Sequence, residues 1–74
     1  MTREQRQALK MLADSQRGVT EAVLATRGLA GELLAGLVRD KLASVASETM
    51  WADGQSVEVV RVQITDAGRM ALKG

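Results

Sequence analysis

Apolar positions follow a helical period through roughly the first forty residues and then alternate, dividing the chain into a helical front part and a strand-forming rear part. In the first segment Ala8, Leu9, Leu12 and Ala13 share one side, while Arg3, Arg6, Lys10 and Arg17 populate the others. Thr2, followed three residues later by Gln5, matches a capping box: each side chain takes a backbone N–H that the helix start leaves unpaired. Gly18 predicts the stop. A second, short helix is expected from Thr20 as N-cap, with Glu21 in the first turn, where the helix dipole favours an acid. Ala22, Val23 and Leu24 are its expected buried residues, and Gly28 its end. After a short connection, Ala30, Leu33, Leu34, Leu37, Val38 and the stem of Lys41 form one stripe, predicting a packed third helix that ends near Leu42.

From Ser44 the period changes. "SVASETMW" and "SVEVVRVQIT" are rich in Val, Thr and Ile and flank "ADGQ". Asp53-Gly54 is a strong hairpin signal, because Asp-Gly suits the two-residue turns that join antiparallel strands. In the second strand Val60, Val62 and Ile64 should face the helices, leaving Val57 and Val59 partly exposed. "TDAGRMALKG" reads as a short closing helix, capped by Thr65 or Asp66, with Ala67, Met70 and Ala71 inward.

Composition narrows the chemistry. Seventy-four residues make a single domain, 1–74, and the absence of Cys and His excludes disulfides and the usual zinc sites. Trp51 is the only aromatic residue, so the core must come from Leu, Val, Ala, Met and one Ile. A core of this size rarely supplies more than about 3–5 kcal/mol, and dimerisation would add to it. No apolar run approaches the roughly 18 residues of a membrane span, and the charged start "MTREQRQALK" lacks a following apolar stretch. The expectation is a soluble cytoplasmic protein without cofactor or metal. Catalysis is not expected either. The common acid–base and nucleophile arrangements need residues the chain lacks, no phosphate-loop or dinucleotide fingerprint is present, and Glu32 and Asp40 read as solvated charges.

Net charge is +1, unevenly spread. Arg3, Arg6, Lys10 and Arg17 against Glu4 and Asp14 leave residues 1–17 at +2. Residues 18–42 balance to 0, with Arg27, Arg39 and Lys41 against Glu21, Glu32 and Asp40. Arg61, Arg69 and Lys73 against Glu48, Asp53, Glu58 and Asp66 leave residues 43–74 at −1. Proteins that live on phosphate contacts usually show a clear basic surface, and here only the first helix is mildly basic.

The order helix, short helix, tight turn, amphipathic helix, two-stranded hairpin, short helix resembles a winged helix-turn-helix domain. "LVRDKLAS" resembles the "L-x-x-K-G-L-V" that leads from third helix to wing in that superfamily, with Lys41 preceding Leu42 where Gly is usual. "VQITDAGRMAL" is similar to the "L-T-x-x-G-R-x-x-L" closing the wing in MarR-type regulators, and "GVTEAVLATRG" resembles a second helix with its "T-E-x-x-L-A". The chain is also similar to a group of small bacterial proteins with "TEA…GL…ELL…LVR…LA" and a Thr-Asp-Ala-Gly-Arg ending, a likeness implying no particular activity. The resemblance implies an α+β fold: a single winged helix-turn-helix domain with three helices, a two-stranded β-hairpin wing and a short C-terminal helix. It departs in two ways. The segment from Gly28 to Leu37 is shorter than the usual register, which predicts a different angle between second and third helix. The extra flanking helices through which MarR-type proteins dimerise are also not among these residues.

That resemblance implies a small DNA-binding protein of the transcriptional-regulator kind, with duplex DNA as partner. The candidates for that role are Arg17, Arg27, Gly31, Glu32, Ala35, Arg39 and Arg61; Arg69 sits in the wing-closing motif and reads as structural. Yet the outward helix face of Gly31, Glu32, Ala35, Gly36, Arg39 and Asp40 offers one Arg, two acids and three small residues, a poor set for reading bases. Arg39 can equally pair with Asp40 or Glu32. Gly36 in mid-helix costs about 1 kcal/mol relative to Ala. Either that cost is tolerated, or another backbone or partner approaches closely there. The hairpin tip, Trp51-Ala52-Asp53-Gly54-Gln55, carries no cation; Trp51 either contacts a partner or folds back over Val59. The alternative expectation is therefore a protein-interaction or self-association module, homodimer or otherwise, using Gly31, Ala35, Gly36 and Trp51.

Overall fold

The computed structural model describes residues 1–73. Four helices and three antiparallel strands follow one another as α1 (Arg3–Ala13), β1 (Val19–Thr20), α2 (Glu21–Thr26), α3 (Glu32–Arg39), β2 (Ala43–Ala52), β3 (Gln55–Ile64) and α4 (Asp66–Lys73). Gly74, the last residue of the expected closing segment, lies outside the described residues.

The capping box of α1 forms as the residues require. Thr2 Oγ1 accepts from the Gln5 N–H at 3.1 Å, and the Thr2 N–H donates to Gln5 Oε1 at 3.0 Å. After α1 the Ser15 hydroxyl donates to the Gly18 carbonyl at 2.6 Å, folding the loop back on itself. Gly18 has φ +82°, and a Cβ there would overlap the Val62 carbonyl oxygen. This close approach delivers Val19 and Thr20 to β3, where they pair with Val62 and Arg61. The sheet therefore has three strands, in the order β1-β3-β2, rather than the two expected. A two-residue strand made by a glycine contact leaves no periodicity for a sequence reading to find.

Leu9, Leu12, Leu24, Leu37 and Val62 are fully buried, joined by Ala8, Leu29, Leu34 and Ala43. Aliphatic groups from α1, α2, α3 and the sheet base thus close one core. Val62 is buried and Val60 and Ile64 are half-buried, so the expected inward face of β3 is the observed one. Two helix faces differ from expectation. In α2, Leu24 alone is buried; Ala22 and Val23 are exposed, because a six-residue helix lying on β1 and β3 has room for one inward position. In α4, Met70 is 67% exposed and Ala67 is also outside. The inward side is Gly68, with Ala71 and Leu72 half-buried a turn later. Gly68 sets that rotation: a Cβ on it would overlap the Leu42 carbonyl oxygen and lie 2.7 Å from Ile64 Cγ1.

The Thr-Asp-Ala-Gly-Arg segment is a clasp. The Thr65 hydroxyl donates to the Lys41 carbonyl at 2.6 Å and accepts from the Gly68 N–H at 3.0 Å, while the Thr65 N–H donates to the Leu42 carbonyl at 3.1 Å. It binds the start of α4 to the junction between α3 and β2. Lys41 there adopts φ +62°, the left-handed conformation for which Gly is the usual residue. The helix thus ends at Arg39, before the expected Leu42, and Lys41 is exposed rather than part of the packed stripe.

β2 and β3 run in unbroken one-to-one register from Ala43↔Ile64 to Ala52↔Gln55, closed by Asp53 (φ +52°) and Gly54 (φ +76°). Only the base of this hairpin packs on the helices: in β2, Ala43 is buried and the other nine residues are exposed. The far end projects, giving the molecule extents of 46 × 22 × 20 Å.

Candidate functional site

α3 meets three different environments around its circumference. Leu34 and Leu37 enter the core. Gly36 is buried as well, facing α1, where a Cβ would stand 3.1 Å from Gln5 Nε2. The close approach that a mid-helix glycine suggests is therefore made by the protein's own first helix. Gly36 is not part of an open face, which corrects its place among the protein-interaction candidates. Periodicity put it outward, because the angle from the Leu stripe cannot reveal a second helix on that flank.

The remaining side of α3 faces the hairpin across a recess of about 480 Å³, lined by Glu21, Gly31, Leu34, Ala35, Val38, Arg39 and Val45. Three sequence candidates, Gly31, Ala35 and Arg39, meet here. Gly31 is the N-cap of α3 at φ +74° and makes no side-chain cap. Glu32 is exposed in the first turn but does not line the recess. The alternation of β3 alone did not expose Val45, which lies across from Val62 and is 47% exposed. The clue was available in β2, where Val45 sits at even spacing from Ala43.

The other cations are elsewhere. Arg27 lines a separate recess with Gln7, Lys10, Met11 and Leu29. Arg17 is in the loop before β1, its carbonyl accepting from Gln63 Nε2 at 3.2 Å. Arg61 follows the alternation of β3 onto the face opposite Val62, where its Nε lies 3.2 Å from Glu48 Oε1. That is the one ion pair among the described residues, so Arg39 pairs with neither Asp40 nor Glu32. Arg6 of the basic first helix donates to the Leu72 carbonyl at 3.4 Å, linking α1 to α4.

The hairpin's far end carries exposed apolar side chains on both faces. Trp51, 76% exposed, shares the face of Val45 and Val62, so it does not lie over Val59, which is on the other face. Met50 and Val57, directly paired and both exposed, occupy that other face. A further recess between α2 and β3 is bordered by Glu21 and Glu58 and by no cation. Among the described residues, no group of acidic side chains is placed to hold a metal ion, and no helix is long and apolar enough to cross a membrane. Comparison with protein-family models, curated proteins and solved structures finds no significant match to the chain.

Proposed function

We propose that this is an interaction module on a winged-helix scaffold, whose working surface is the recess between α3 and the hairpin and whose partner is a protein. The order of elements supports the scaffold, with a hairpin directly after the third helix and a short strand added to its inner edge. The observation that carries the function is the distribution of cations. A DNA-binding surface of this kind gathers Arg and Lys on the face that meets phosphate. Here Arg27 and Arg39 line separate recesses, Arg17 lies in the loop before β1, and Arg61 is neutralised by Glu48. What the α3 face and the hairpin share instead is aliphatic surface, small residues and an exposed indole, the composition of an interface core.

A second reading, duplex DNA on the same face, is favoured by Arg39: it stands at the rim of the recess with no carboxylate partner among the described residues. An NMR titration with mixed-sequence duplex DNA at low salt separates the two. The protein-partner reading expects no saturable shifts in residues 31–39 and no change on Arg39→Ala. Saturable shifts there, weakened by Arg39→Ala and by added salt, would replace it with the DNA reading.

A further inference from the structure

β2 is an edge strand of unusual openness. It borders β3 on one side only, runs for ten residues without a bulge, and carries no Lys, Arg or Pro. Edges of this kind are normally blunted by those devices, because their free N–H and C=O groups form a template for another strand. Its single charge, Glu48, is already held by Arg61 of the neighbouring strand.

Which backbone groups are free follows from the turn. A two-residue turn at Asp53-Gly54 makes Ala52 and Gln55 a hydrogen-bonded pair, and the pairs alternate from there. Met50, Glu48, Ala46 and Ser44 therefore direct their backbone groups to β3, while Trp51, Thr49, Ser47 and Val45 direct theirs outward. The Leu42 carbonyl accepting from the Thr65 N–H agrees with this phase.

We infer that two copies of the chain associate through antiparallel pairing of their β2 strands, centred on Ser47, with each Trp51 seated against the α3 recess of the other copy. This rests on the protein-partner reading above and names the partner. An antiparallel pair of identical strands has its two-fold axis normal to the sheet, so the same face continues across both copies. Centring on Ser47 places Val45 opposite Thr49 of the second copy and Ala43 opposite its Trp51. Val45, Ser47, Thr49 and Trp51 are exposed and turn their backbone groups to the open edge, which the buried Ala43 closes at its base. The neighbouring register, centred on Glu48, would set two carboxylates directly opposite, which is unfavourable. In the Ser47 register the indole lies diagonal to Val45, within reach for an aromatic side chain, on the face where Val45, Leu34, Ala35 and Val38 line the recess. The largest exposed apolar side chain of one copy thus meets the largely aliphatic hollow of the other.

Sedimentation equilibrium of the full chain over a range of concentrations, with the fluorescence of its only Trp recorded alongside, tests this. The expected result is a mass rising from the monomer's 7.9 kDa toward twice that value, with Trp51 emission moving to the blue along the same curve. Ser47→Pro and Ser47→Lys should both abolish association while keeping the far-UV circular dichroism. The Ser47 N–H is not used within the hairpin, so proline removes only the edge donor, and two lysines at the axis repel. If the proline variant loses its fold, the lysine variant decides. Trp51→Ala should weaken association about tenfold or more, as for a buried interfacial aromatic. A wild-type chain that stays monomeric overturns the inference, as does a dimer that survives both Ser47 variants. A doubling of mass with unchanged Trp51 emission overturns the register. None of these outcomes decides between protein and DNA on the α3 face, which the DNA titration tests separately.

Discussion

Gly36 stands in the middle of α3 and Gly68 in the first turn of α4, and replacing them with alanine should move stability in opposite directions. At Gly36 the substitution gains about 0.8–1.0 kcal/mol of intrinsic propensity, and at the first-turn Gly68 it gains less. At Gly36 the new methyl meets Gln5 Nε2 at 3.1 Å and Arg39 Nη2 at 3.7 Å, both the far ends of flexible side chains. Gln5 must retreat by a few tenths of an ångström, at some expense to the hydrogen bond its Oε1 accepts from the Thr2 N–H. The net expectation is a gain of about 0.5 kcal/mol, or roughly 2–4 °C in Tm for a domain of this size. At Gly68 the methyl would overlap the Leu42 carbonyl oxygen, which is fixed by accepting from the Thr65 N–H. α4 must then lift away, breaking the two hydrogen bonds of the Thr65 hydroxyl, worth about 0.5–1.5 kcal/mol each, and uncovering Leu72 and Ile64. A net loss of about 2–4 kcal/mol follows from those terms, most of the stability expected at this size. Thermal and urea unfolding by circular dichroism at one fixed protein concentration reads both variants, since association would make Tm concentration-dependent. A Gly36→Ala protein destabilised by more than about 1 kcal/mol, or a Gly68→Ala protein as stable as wild type, would refute this account of the two contacts.

Other substitutions probe separate links. Lys41→Gly removes a left-handed non-glycine residue and should stabilise by about 0.5–1 kcal/mol in urea denaturation, the strain relieved outweighing glycine's extra chain entropy. Leu37→Ala leaves a cavity at a fully buried position and should cost about 2–5 kcal/mol, so its one-dimensional proton NMR spectrum should show a largely unfolded chain at 25 °C. Arg61→Ala breaks only a solvent-facing ion pair and should shift stability by less than about 1 kcal/mol, an effect that shrinks further in high salt.

The helices were legible because their signals are local. Thr2 with Gln5, Thr20 before Glu21, and the Leu34/Leu37 spacing each act within one or two turns, and the structure places them as read. The Asp53-Gly54 turn and the inward set around Val62 are local in the same sense. What escaped were contacts made by residues without side chains. Gly18 against Val62 creates β1, Gly68 against Leu42 rotates α4, and Gly36 against Gln5 closes one flank of α3. A hydropathy pattern cannot show what a glycine packs against, yet each of these three marks where two backbones, or a backbone and a side chain, approach closely.

The candidate site was half legible for a related reason. Gly31, Ala35 and Arg39 share a helix face, and helical spacing suffices to group them. Their opposite wall is Val45, more than a turn of sequence beyond the helix and visible only once the hairpin register is known. The same register separates the cations, since Arg61 and Val62 are chain neighbours that face opposite sides of one sheet. Charge counted along the chain therefore overstates what any single surface can offer to phosphate. Among the described residues Arg39 is the one cation lining the α3 recess and Glu21 the one acid, so the local balance of that surface is neutral and its character is set by aliphatic groups. A surface of that kind gains from excluding water rather than from releasing counterions, which is why its association should tolerate salt where DNA binding would not.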